Sequence, residues 1–129
     1  MSCMKMSPSR MANIIAKNEW SSLVRAKAGD VCEICGRTGK LDAHHIFRKQ
    51  SNYMKTLLAN GIALCFDCHR NGIHSPDWKD QRIMSDKIQA YKGEEEMERL
   101  NRLKHNPPKL TLDELKEIRK DYAQMLNEY

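Results

Sequence analysis

Apolar residues recur at roughly helical spacing from Met11 to Ala28, at Ile14, Ile15, Trp20, Leu23 and Val24, and Gly29 supplies a stop. This predicts an N-terminal helix, preceded by an unpatterned stretch over 1–10 in which Cys3 is a bystander. "CEICGRTGK" breaks the pattern with two cysteines and two glycines and reads as a tight turn. "LDAHHIFR" then reads as a strand, "KQSNYMKTLLAN" as a polar loop with a helical turn, and "GIALC" as a second short strand. "CFDCHRNGIH" runs into a helix, with Gly72 as its weak point.

After His74 the period becomes purely helical. "SDKIQAYKG" predicts a helix with Ile88 and Tyr91 inward and Gly93 at its end, and "EEEMERLNRLKH" a second with Met97, Leu100 and Leu103 on one side. "NPP" ends that helix, because proline cannot continue it and restricts the residue before it. "TLDE" at Thr111 to Glu114 is a capping box, followed by the apolar stripe Leu112, Leu115, Ile118, Tyr122 and Met125. These stripes must bury against the rest of the chain or against a second copy, as in a homodimer through the C-terminal helices. Short helices broken at Gly93 and Pro107–Pro108 favour folding back. The organisation that follows is an N-terminal tail and helix over 1–30, a core over 31–75 and a helical extension over 76–129.

Composition narrows the class. With 40% hydrophobic and 30% charged residues, two Phe and two Trp, the 129-residue chain supports one modest core. No apolar run approaches the roughly 20 residues of a membrane span. The opening "MSCMKMSPSRMANII" does not read as a secretory leader, so a cytoplasmic location with reduced thiols is the expectation. The net charge of +5 is uneven: residues 1–75 hold 11 Lys and Arg against 5 Asp and Glu, whereas 76–129 hold 11 against 12. A basic first half fits a polyanionic partner such as DNA.

The chemistry-bearing residues lie in that basic half. Cys32-x-x-Cys35 and Cys65-x-x-Cys68 are two thiolate pairs, each in one tight turn, and together they complete the tetrahedral sulfur shell that zinc accepts. In so small a core the metal contributes folding free energy directly. Between the pairs lies "DAHH". Adjacent strand residues point to opposite faces, so one core would accept His44 or His45 and reject the other. Phosphodiester hydrolysis supplies a reason for both: a base acts on water at one side of phosphorus, and a cation neutralises the leaving oxygen on the other.

The order His44–His45, Asn60, His69 within a four-cysteine frame resembles the HNH endonuclease family, the ββα-metal nucleases, over about residues 31–75. The resemblance implies an α+β fold, a small zinc-stabilised ββα-metal core with flanking α-helices. It implies a metal-dependent DNA endonuclease of low sequence specificity, with His45 as general base, His44 and His69 as ligands of the catalytic metal, and Asn60 bracing the loop between strand and helix. Many zinc-framed members carry a further histidine four residues after the first helical one. Here the spacing is five, so His74 reaches the metal if the helix ends or bulges near Gly72, a fifth residue being rotated by about 140° on a regular helix. Magnesium or another divalent ion such as manganese or nickel would serve, imidazole favouring the first-row metals. Arg37, Lys40, Arg48, Lys49, Lys55 and Arg70 are the candidate phosphate-facing surface.

"AYKG", "MERLNRL" and "KLTLDELKEIRKDYAQML" more weakly resemble the tail of phage recombination endonucleases of the Rap/NinG type. That resemblance implies a junction- or branch-selective enzyme, phage-encoded and acting in a host cytoplasm. The chain departs from that group in having "HH" where those relatives tend to have "GH", and His rather than Asn at 69. A third reading is a non-catalytic zinc module for DNA binding or packaging.

Overall fold

The computed structural model describes residues 6–48 and 51–129; Cys3 and Lys49 lie outside the described residues. The elements run α1 (Pro8–Ile15), a π-turn (Ala16–Trp20), α2 (Ser21–Lys27), β1 (Leu41–His45), α3 (Asn52–Thr56), a 3₁₀ turn (Leu58–Asn60), β2 (Gly61–Cys65), α4 (Phe66–Cys68), a second π-turn (His69–Ile73), α5 (Trp78–Lys92), α6 (Glu94–His105) and α7 (Leu112–Leu126). This is a small α+β domain.

The N-terminal helix begins earlier than the apolar pattern does. Ser7 accepts a hydrogen bond from the Arg10 amide and Pro8 occupies the first turn, where its missing N–H costs nothing. Residues 8–10 are therefore helical, contrary to the expectation for 1–10. Gly29, at φ +73°, ends the helical stretch.

The hairpin pairs β1 and β2 antiparallel, with Leu41 opposite Cys65 and His45 opposite Gly61. β2 is buried along its whole length, because α2 packs on the hairpin and the first cysteine turn docks on the strand's free side. That docking is a backbone and side-chain pair: Glu33 N donates to Ala63 O at 3.0 Å, and Glu33 Oε2 accepts from Ala63 N at 2.8 Å. A Cβ on Gly61 would lie 2.5 Å from Val24 Cγ2 and 2.8 Å from the Trp20 ring. Only glycine lets the helix approach the strand so closely.

All three parts of the chain share one core. Met11, Ile15, Trp20 and Val24 meet Ile62 and Leu64 of β2, Met84 and Ile88 of α5, and Leu115 of α7. The tail thus folds back: α7 lies along α1, the first π-turn and α2, Arg119 Nε donates to Glu19 Oε1 at 2.8 Å, and Tyr122 Oη donates to the Thr56 carbonyl. The stripe of α7 is thereby covered by its own chain, without a second copy. Thr111 and Glu114 form the anticipated capping box. Tyr91 corrects its expectation: it is 51% exposed, and its hydroxyl reaches out to Glu33 Oε1 at 3.0 Å.

Candidate active site

Two clusters of donor atoms form around the hairpin and the helical turns that follow it. In the first, one sulfur from each of Cys32, Cys35, Cys65 and Cys68 lies within 4.8 Å of every other, and Cys35 Sγ is 3.5 Å from Cys65 Sγ. Ligands about 2.3 Å from a tetrahedral zinc lie about 3.8 Å apart, so the set fits that ion. None of the four is in a disulfide. Burial pushes the Cys32 thiol up, but the backbone amides of Cys35, Cys65 and Ile34 outweigh it and bring it down to about 7. Burial, with the Cys65 and Cys32 thiols next to it, drives Cys68 far above the ordinary thiol range. Four thiols so close cannot all ionise without a cation among them, and metal binding displaces their protons. Arg37 pairs with Asp67 across the two cysteine turns, so its charge clips the frame together.

The second cluster is built from imidazoles. His44, His69 and His74 each offer a nitrogen, all within 4.8 Å of one another, with ring centroids 4.7–5.3 Å apart. His44 comes from β1, His69 from the start of the second π-turn and His74 from the residue that caps it. That turn answers the spacing problem. The His74 amide donates to the His69 carbonyl at 2.9 Å, an i→i+5 bond, so one π-turn stacks the fifth residue where an α-helix would stack the fourth. Gly72 is buried against Met84, which would meet a Cβ there at 2.9 Å.

Burial, then the positive charges of His69, His74 and His45, hold His44 down at about 4. Burial, followed by His69 and Arg70, also lowers His74. Three imidazoles with a nitrogen each this close together are a donor set that suits a first-row divalent cation. Asp42, two residues before His44 on the same face of β1, accepts from His69 Nδ1 at 3.0 Å. A carboxylate can only accept, so Nδ1 carries the hydrogen and the lone pair of the neutral ring is left on Nε2, the nitrogen that could face a metal. Asp42 was not among the site residues expected from the sequence. Its signal was the i, i+2 spacing to His44.

His45 projects from the other face of β1. Its ring stacks on Trp20 with centroids 3.9 Å apart and planes at 4°, and its Nε2 lies 3.0 Å from the Lys55 carbonyl. Because that carbonyl only accepts, Nε2 is the protonated nitrogen, and in the neutral ring the lone pair sits on Nδ1. Trp20 is itself pinned, its indole N–H donating to the Leu57 carbonyl at 2.9 Å. Trp20 was legible in sequence only as an apolar helix position. Lys55 meets His45 through its backbone, whereas its side chain was the expected contributor.

Asn60 is fully buried and uses both ends of its amide. Its Oδ1 accepts from Phe47 N at 2.9 Å, and its Nδ2 donates to the carbonyls of Phe47 and Met54, each at 3.1 Å. The Asn60 carbonyl also accepts from Ile46 N at 2.9 Å. The residue thus ties the exit of β1 to α3, whose Lys55 carbonyl meets His45. Lys40, Arg48 and Arg70 are exposed, and the Arg70 guanidinium sits 5.9 Å above the Phe66 ring.

Residues 32–72 match the family model described as HNH endonuclease. The chain carries an HNH domain. The matched segment spans the first cysteine turn, the hairpin with both adjacent histidines, Asn60, the second cysteine pair and His69. His74 falls just beyond it. Neither the curated proteins nor the solved structures give a significant match. The HNH segment brings a nuclease or DNA-binding function in general, and its four cysteines suit zinc. No helix among the described residues is long and apolar enough to cross a membrane.

Proposed function

We propose that the chain is a metal-dependent DNA endonuclease that hydrolyses phosphodiester bonds. The observation that carries this reading is the division of labour along β1: His44 faces two further imidazoles, while the next residue, His45, is set apart with its tautomer fixed by a carbonyl. A divalent cation held by His44, His69 and His74 would supply the positive charge that the leaving 3′-oxygen needs. His45 Nδ1 takes the proton of the attacking water, and its Nε2–H, held by Lys55 O, lets the ring become imidazolium without moving. The flat Trp20 face stabilises that cation as it forms. Asn60 keeps Lys55 and the end of β1 in register, so its role is positional.

Lys40, Arg48 and Arg70, with Lys49 and the side chain of Lys55, supply phosphate affinity in this reading, whereas Arg37 acts first as a clip on the zinc frame. The tail braces one protomer. Its own-chain burial favours a monomeric nicking enzyme over a dimer cutting both strands.

The test is a supercoiled-plasmid nicking assay with magnesium, manganese or nickel, comparing wild type with His45→Ala. Wild type should nick, and the variant should lose about 10²–10⁴-fold while keeping zinc and DNA affinity. Equal nicking by the two proteins would remove His45 from the mechanism. No nicking by wild type with any of the metals would favour the non-catalytic DNA-binding module.

A further inference from the structure

The hairpin's two faces carry different cavities, and the one on the His45 side has no assigned occupant. A cleft of about 410 Å³ opens there, lined by Asn13, Lys17 and Trp20 of the N-terminal helical stretch and by Ala43 and His45 of β1. Trp20 is buried and forms its floor, while Asn13 and Lys17 are exposed and stand at its rim. Positions 13, 17 and 20 share one helix face at i, i+4 and i+7. The first π-turn, Ala16–Trp20, lies in the wall of this cleft. Ser21 Oγ donates to the Lys17 and Asn18 carbonyls at 2.7 and 3.1 Å, and the Ser21 amide also donates to the Asn18 carbonyl, closing the end of that turn.

Charge separates this cleft from its neighbours. The larger one between α5 and α6, about 540 Å³, is lined by Glu94 and Glu98, and another, of about 290 Å³, by Asp67 and Asp80. The two carboxylates of the first repel a phosphodiester strand, and in the second Asp80 does so while Asp67 is paired with Arg37. The His45 cleft has no carboxylate in its lining and a lysine at its rim. The nearest acid in sequence, Glu19, is held by Arg119. Lys17 makes no ion pair among the described residues.

We propose that this cleft seats the backbone of the cleaved DNA strand on the water side of the scissile bond, with Lys17 holding a phosphate and Asn13 its neighbouring oxygen. The inference rests on the nuclease reading for the role of His45, and deepens it by adding the N-terminal helix to the substrate surface. Lys17 is a binding residue: its contact exists before and during reaction, so its loss raises KM and leaves kcat.

The experiment compares wild type, Lys17→Ala, Lys17→Arg and, as a distant control on α7, Lys120→Ala, all on one mixed-sequence duplex oligonucleotide. Two quantities are read: steady-state nicking with the best divalent metal, and metal-free DNA affinity over a salt series. Lys17→Ala should raise KM and Kd roughly tenfold, the scale of one charge-assisted bond. It should also lower the slope of log K against log salt by about one. Lys17→Arg should restore both, and Lys120→Ala should change neither. Wild-type KM and an unaltered salt slope in Lys17→Ala would overturn the proposal. If wild type does not nick, the nuclease reading fails, and the salt slope still decides whether the cleft holds a phosphate.

Discussion

His69 and His74 are one π-turn apart, the amide of the second bonded to the carbonyl of the first at 2.9 Å, and their rings stand edge to face with centroids 4.7 Å apart. A spacing that would rotate His74 away on a regular helix instead places it beside His69 and His44. If these three hold the catalytic cation, then His44→Ala, His69→Ala and His74→Ala should each lose nicking by weakening the metal, and excess manganese should recover part of it. His45→Ala should show no such recovery, because its defect is in proton transfer. A metal titration of nicking separates the two groups. Recovery of His45→Ala by manganese, or full activity of His74→Ala at low metal, would reassign these side chains.

The four-cysteine frame should hold one tightly bound zinc per chain. Cys65 ends β2 inside the shared core, so Cys65→Ser should cost both the metal site and the fold. Elemental analysis should show about one zinc in wild type, and circular dichroism should show loss of the helical signal when a strong chelator removes it. A chelator-treated protein that is zinc-free and fully folded would contradict the structural role.

The tail is coupled to His45 through α3. Tyr122 Oη donates to the Thr56 carbonyl, and the neighbouring Lys55 carbonyl holds His45 Nε2. Burial, the largest influence on it, helps push the Tyr122 hydroxyl up to about 12, so it stays protonated as a donor at any working pH. Tyr122→Phe removes that donor alone and should cost about 1 kcal/mol of stability. It should also lower kcat with little change in KM, because it loosens the base without touching DNA. Wild-type kcat in a variant with lower melting temperature would make the tail a brace only.

His44 gives the fold a pH dependence. Its pKa is about 4 in the folded protein against an ordinary 6.5, so the unfolded chain binds the proton more readily. Stability from this group is present above about pH 6.5 and is lost as pH falls toward 4. His44→Asn lacks that dependence. The melting temperature of wild type, relative to His44→Asn and without added divalent metal, should therefore fall between pH 7 and pH 5. The zinc frame is common to both proteins and cancels. A difference that stays constant would mean that His44 has the same pKa folded and unfolded, and one that grows as pH falls would mean that it gains a proton on folding.

Local signals made much of this protein legible from its residues. The cysteine spacing, the two strands, the capping box at Thr111 and the helix ends at Gly93 and Asn106 each depend on a few adjacent residues, and each stands where its signal lies. The divergence of His44 and His45 likewise follows from strand geometry alone. Contacts between distant segments required the tertiary structure. The Trp20 stack on His45, the Asp42 hold on His69 and the tie from Tyr122 to Thr56 join residues with no sequence relation that period or motif could expose. The direction of the tail was open for the same reason, since an apolar stripe states that it must be buried and not where. The reach of His74 was decided between these levels. Its five-residue spacing predicted failure on an α-helix, and the π form of the turn, with Gly72 packed against Met84, brings it in.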